Sequence, residues 1–147
     1  MKVDDKDKRI LNALLRNSKL SLREIAKIAD VSVATVMNRV NRLEKEGIIK
    51  KYSTILDYEK LGFDVEVLIE IRISKGKLFH VEKEIDHHPN VFAVYDITGE
   101  FDAAILARFP GRRQMDAFLK KIQTYDFVER TNTRLILNTI KEKQIEV

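Results

Sequence analysis

Between Ser32 and Gly47 the sequence SVATVMNRVNRLEKEG places two amides and several cations at spacings that recur on one side of a helix. On a helical wheel Val36, Val40 and Leu43 fall in a narrow apolar wedge. Ala34, Asn38, Asn41, Arg42 and Lys45 lie opposite, with Thr35 beside them and Arg39 at the flank. A guanidinium bonds guanine through two parallel hydrogen bonds and a carboxamide does the same for adenine, so Arg42 and Asn38 are the candidate base readers. Ser32 is placed to cap the helix, whose free amides suit a phosphate. Lys50, Lys51 and Tyr52 follow at once, within reach of a nucleic-acid backbone beside the groove. The plain alternative is a solvated face of a bundle helix. Asparagine is a poor choice for such a face because its helix propensity is low, and two of them occur here.

A second set of polar side chains is His80, Glu84 and His87, at i, i+4 and i+7, followed by His88. Imidazole and carboxylate at that spacing can chelate a transition metal, but a site of this kind needs four ligands. The chain has no cysteine and no second ligand cluster. Histidine is also electrostatically favoured near a helix C-terminus, so no metal and no cofactor is expected. There is no GxSxG, no P-loop and no Gly-rich dinucleotide fingerprint, and the acidic residues mostly occupy outward positions. No catalytic residue is expected, although an allosteric α+β module attached to an enzyme remains an alternative.

The 147 residues are 44% hydrophobic and 34% charged, enough apolar content to bury a core. Net charge is +4, and it is unevenly spread. Residues 1–61 hold 14 Lys/Arg against 9 Asp/Glu, and residues 62–147 hold 13 against 14. The excess of +5 therefore lies in the first part and −1 in the second, which points to a polyanion partner for the first. No apolar run approaches the roughly 20 residues that cross a membrane. MKVDDKDKRIL is too charged for a secretory signal, and the absence of cysteine fits a reducing compartment; a cytoplasmic protein is expected.

These side chains need elements to hold them. Ile10, Leu11, Leu14 and Leu15 predict a helix from about Asp4 to Asn17. SLRE at 21–24 has the form of a capping box opening a second helix, with Leu22, Ile25, Ala26 and Ala29 inward. Asp30 sits at the turn before the third, and the short DVS connection is the geometry of a helix-turn-helix. The period then changes to two. FDVEVLIEIRIS alternates as a half-buried strand. A helix follows from about Lys77 to His87 with Leu78, Val81 and Ile85 inward, stopped near Pro89. Strands at VFAVYDIT and FDAAILARF are joined by a tight GE turn; Met115, Phe118, Leu119 and Ile122 mark a helix, and VERTNTRLILNTI is the last strand. The order β-α-β-β-α-β is the ferredoxin-like split arrangement. The expected fold class is α+β: a helix-turn-helix (winged-helix-like) domain at 1–50, a linker strand and turn at 51–62, and a ferredoxin-like domain at 63–147.

The stretch from DKRILNALLRN to DYEKLG resembles the N-terminal half of the Lrp/AsnC (feast/famine) transcriptional regulators, on the pattern SxxTVxxRVxxLExxGII at 32–49. VFAVYDITGEFDAAILARF and VERTNTRLIL are similar to that family's ligand-sensing domain. One departure is Asp30, where this turn often carries Gly; Asp tolerates the left-handed conformation better than most residues. The resemblance implies double-stranded DNA as partner, homodimers formed through the sheet, and dimers of dimers up to an octamer. It also implies an amino-acid effector near the Gly-containing turn. Carried over by motif, that site is Gly99, Glu100, Phe101 and Asp102, with Thr131 and Thr133 from the neighbouring strand. Glycine lets backbone amides approach a carboxylate, and Asp102 can pair with an ammonium group; the competing reading makes GE a hairpin turn capped by Asp102. The function expected is sequence-specific, effector-responsive regulation of transcription. The alternative within DNA binding is a non-specific architectural protein.

Overall fold

The computed structural model describes residues 3–74 and 76–147, with the side chains of Leu78 and Glu82 outside the description. The inward role expected for Leu78 therefore lies outside the described residues. The chain divides into two compact units, one running to Ile55 and including Lys141–Val147, the other Leu56–Ile140.

In the first unit, α1 (Asp5–Arg16), α2 (Leu22–Ala29) and α3 (Val33–Lys45) follow the expected grammar. α2 opens on the Ser21/Glu24 capping box, in which the Glu24 backbone donates to Ser21 Oγ and the Ser21 backbone to Glu24 Oε2. α1 opens on a second box of the same kind, Asp4 with Asp7, invisible to apolar periodicity because both members are polar. Asp30 adopts φ 54° at the end of α2, so the turn is made in the left-handed region without glycine. Ile10, Ala13, Ile25, Ala26, Ala29, Val36 and Val40 close the core between the three helices. The end of the chain, Lys141–Val147, packs with this unit. Arg16 pairs with Glu146 through Nε at 2.8 Å and Nη2 at 3.0 Å, and the Asn12 carboxamide exchanges two 2.9 Å hydrogen bonds with the Val147 backbone.

The second unit is a four-stranded antiparallel sheet in the order β2-β3-β1-β4 with two helices. The elements are β1 (Val65–Ile73), α4 (Leu78–Glu84), β2 (Val91–Asp96), β3 (Ala103–Phe109), α5 (Arg112–Gln123) and β4 (Val128–Leu135). Cross-strand partners share a face, and Ile69↔Ile105 and Val67↔Ala107 set the apolar members of β1 and β3 on one side. There they bury against Val81, Ile85, Phe118 and Ile122 of the helices. The other side carries Glu66, Leu68 and Glu70 of β1, Leu106 and Arg108 of β3, and Asn132 and Arg134 of β4. α4 stops at Glu84, short of the expected His87, because the His88 N–H turns back to the Ile85 carbonyl and its ring packs 4.5 Å from Phe118. Residues 51–57 carry no ladder, so the linker strand expected there is exposed chain leading into the turn at 58–62. β4 likewise ends at Leu135, before the ILNTI at 136–140 expected to continue it.

Candidate nucleic-acid and effector sites

The N-cap of α3 is built as the sequence implies: the Thr35 N–H donates to Ser32 Oγ at 3.1 Å, and the two hydroxyls lie 2.8 Å apart. Val36, Val40 and Leu43 are buried. Ala34, Asn38, Asn41 and Lys45 stand exposed on the far side, and Thr35 is half-buried at its edge. Asn38, Asn41 and Lys45 form no side-chain hydrogen bond or ion pair among the described residues, so their polar ends are available to a ligand.

Arg39 and Arg42 are placed differently. Both lie on the flank of α3 that faces the start of α1. Arg42 Nη2 donates to both oxygens of Asp7 at 2.6 and 2.7 Å. Arg39 Nη1 donates to both oxygens of Asp4 at 2.7 Å and to Asp7 Oδ1 at 2.8 Å. Asp7 is fully buried, and Arg42 Nε is buried without a partner. The hydrogen bond from Arg39, followed by that from the Asp7 backbone, pulls the Asp4 carboxyl down to about 2. Nothing in the local spacing of Asp4 and Asp7 says that their partners lie 32 to 35 residues on.

Lys50 and Lys51 are exposed after α3. Tyr52 donates its hydroxyl to Glu44 Oε1 at 2.7 Å, and burial, then that carboxylate, pushes the phenol up to about 12. Two cations not singled out from the sequence, Arg23 and Lys27 of α2, line a shallow recess with Ser32 and Val33 beside the start of α3. The signal was present as their i, i+4 spacing on the polar side of α2.

In the second unit the turn Gly99–Asp102 joins β2 to β3. Gly99 has φ 119°, a backbone conformation that residues with side chains rarely adopt. Phe101 is buried beneath the Arg130 guanidinium, 5.6 Å from its ring centre, and Arg130 also pairs with Glu100 at 2.8 Å. That pair brings the turn to the start of β4. Thr131 and Thr133 lie opposite Ile71 and Ile69, on the helix-covered side, where Thr131 Oγ1 accepts from Gln123 Nε2 at 3.3 Å. Asp102 already has structural partners: Oδ2 accepts from the Ile73 N–H at 2.7 Å, and its own N–H donates to the Ile71 carbonyl. A cleft of about 470 Å³ opens beside the turn between α4 and the edge strand β2. Val81, Asp86, Val91 to Asp96 and Ala103 line it, and none of the six expected effector residues does. His80 stacks on Phe127 at 5.5 Å and His87 Nδ1 meets Asp86; no group of three metal-ligating side chains is assembled among the described residues.

A capped, ridge-bearing third helix followed by a ferredoxin-like unit defines a helix-turn-helix regulator with an appended ligand domain. Residues 3–50 match the winged helix-turn-helix DNA-binding family model, and residues 66–145 the Lrp/AsnC ligand-binding domain. The chain belongs to the Lrp/AsnC family of transcriptional regulators. It is 41% identical over 142 residues to an uncharacterised HTH-type transcriptional regulator of Pyrococcus furiosus, covering 97% of this chain and 96% of that one. Among solved structures, AsnC of E. coli has a TM-score of 0.91 at 26% identity, with all of both chains covered. A Neisseria meningitidis regulator solved with L-Met shares the fold, with a TM-score of 0.91 at 23% identity over 97% of this chain and 94% of that one.

Proposed function

We propose that this regulator binds a pseudo-palindromic duplex as a homodimer and reads bases from the exposed ridge of Ala34, Asn38, Asn41 and Lys45. Ser32 and Thr35 at the capped start of α3 receive a phosphate, and Lys50, Lys51 and Tyr52 follow the backbone. The observation that carries this reading is the set of exposed amides and amine, without side-chain partners among the described residues, on the side of α3 opposite its buried wedge. Dimerisation through the helix-free face of the sheet fits the chemistry of that face. Its charges neutralise one another within the chain, Glu66 with Arg108 at 2.7 Å, and Glu70 with Asn132 at 2.8 Å and Arg134 at 3.1 Å. Leu68 and Leu106, facing each other across β1 and β3, supply apolar area.

A small amino-acid-like effector then engages the Gly99–Asp102 turn, with Thr131 and Thr133 nearby, and favours one association of dimers over another. The ligand-binding description of residues 66–145 supports a small-molecule role for this unit. Selection of duplexes from a random pool by the full chain tests the DNA half. A selected sequence should bind at least 10³-fold more tightly than a scrambled one, on the order of specific regulators. A steep salt dependence with no such ratio would identify an architectural DNA binder instead.

A further inference from the structure

We propose that Asp7, assisted by Asp4, is a positioning residue of the recognition helix: it holds Arg42 and Arg39 off the duplex and fixes the roll of α3. Base reading then falls to Asn38 and Asn41. This rests on the DNA-reading role proposed above for α3. Asp4, the N-cap of α1, and Asp7 in its first turn stand at i, i+3, and Arg39 and Arg42 at i, i+3 on α3, so the contacts form two rungs between the helices. One rung fixes a distance, whereas two also fix the rotation of one helix against the other. Asp7 is fully buried, so removing an arginine from it strands a desolvated carboxylate, the costly outcome for a buried ion. The Arg42 side chain lies down against α1 even though its Nε–H is left without an acceptor. Its guanidinium is thus committed to Asp7 through one nitrogen, Nη2.

The test uses the full chain, a duplex selected from a random pool by the wild-type protein, and a scrambled duplex of the same composition, titrated across salt concentrations. Arg42→Gln should lower the ratio of the two affinities roughly tenfold, the scale of one lost base contact, and leave the salt slope unchanged. Asp7→Asn should release an arginine to the phosphates, steepening the slope by ~0.9 and tightening binding to the scrambled duplex. Asp5→Asn makes the same charge change at an exposed neighbour with no side-chain partner among the described residues, and should leave the slope alone. If Asp7→Asn does not fold, Asp4→Asn, at a half-exposed carboxylate, gives the same slope readout through Arg39. The proposal is overturned if Arg42→Gln flattens the slope by ~0.9 at unchanged melting temperature, since Arg42 is then a phosphate contact. It is equally overturned if the Asp7 and Asp4 variants leave slope and ratio unchanged. A wild-type protein that selects no sequence sinks the DNA-reading proposal instead, which separates the two failures.

Discussion

Paired substitutions at Asp102 separate its hydrogen bond to the Ile73 N–H from the effector contact proposed for it. Its Oδ2 accepts the Ile73 N–H at 2.7 Å where the β1–β4 register shifts, and Ile73 is only 7% exposed. A hydrogen bond to a charged acceptor contributes about 1.5–3 kcal/mol, and a buried N–H left unpaired costs a similar amount. Asp102→Ala should therefore destabilise the second unit by about 2 kcal/mol. For a domain the size of Leu56–Ile140, each kcal/mol lowers the melting temperature by roughly 4–8 °C, so a fall of about 10 °C is expected. Asp102→Asn keeps a carbonyl acceptor and loses only the charge assistance, about 1 kcal/mol and roughly 5 °C. Calorimetric melting reads the first effect, and titration with a panel of amino acids reads the second. The Asn variant should lose amino-acid affinity while staying folded, because an ammonium group needs the charge. Equal melting temperatures for wild type, Asn and Ala would refute the structural half. An Asn variant that titrates like wild type would remove Asp102 from the effector site.

Leu106→Glu places an unpaired charge on the helix-free face of the sheet and should shift the protein towards monomer in sedimentation, with the folded unit preserved in its circular dichroism. Ser32→Ala removes the cap of α3 and should cost about 1 kcal/mol of helical stability in denaturant titration. The Asp4 carboxyl is depressed from 3.8 to about 2, so its contribution is complete above pH 3.8 and is lost as pH falls towards 2; the melting temperature of the helical unit should fall across that window. His88 is depressed below 6.5 by burial and then Lys121, so the second unit should lose stability as pH drops below 6.5, and His88→Gln should flatten that dependence.

Much of this architecture was legible in the chain, for identifiable reasons. The wedge of Val36, Val40 and Leu43 and the strict alternation of β1 each repeat at the period of one element, and a local pattern fixes a local structure. The Ser21 box and the left-handed turn at Asp30 are likewise short-range. What escaped was long-range. The partners of Asp7 lie on another helix, and the Ile73 amide that occupies Asp102 comes from another strand, so neither spacing nor composition announces them. The strand expected at 51–57 failed for a related reason: an apolar, β-prone stretch becomes a ladder only when another strand lies beside it. α4 was overextended because the apolar period continues to Ile85 while His88 closes the turn from behind.

The self-neutralised charges of the sheet face have a consequence for how the two proposed associations answer to ionic strength. Glu66 and Glu70 find their counter-groups within one chain, so docking a like face on them gains little from long-range attraction and loses little when salt is added. The duplex proposed for the ridge of α3 is a polyanion, whose grip weakens steeply as counterions are supplied. Raising salt should strip the duplex from an intact dimer, so that protein released from its site is already assembled to bind the next.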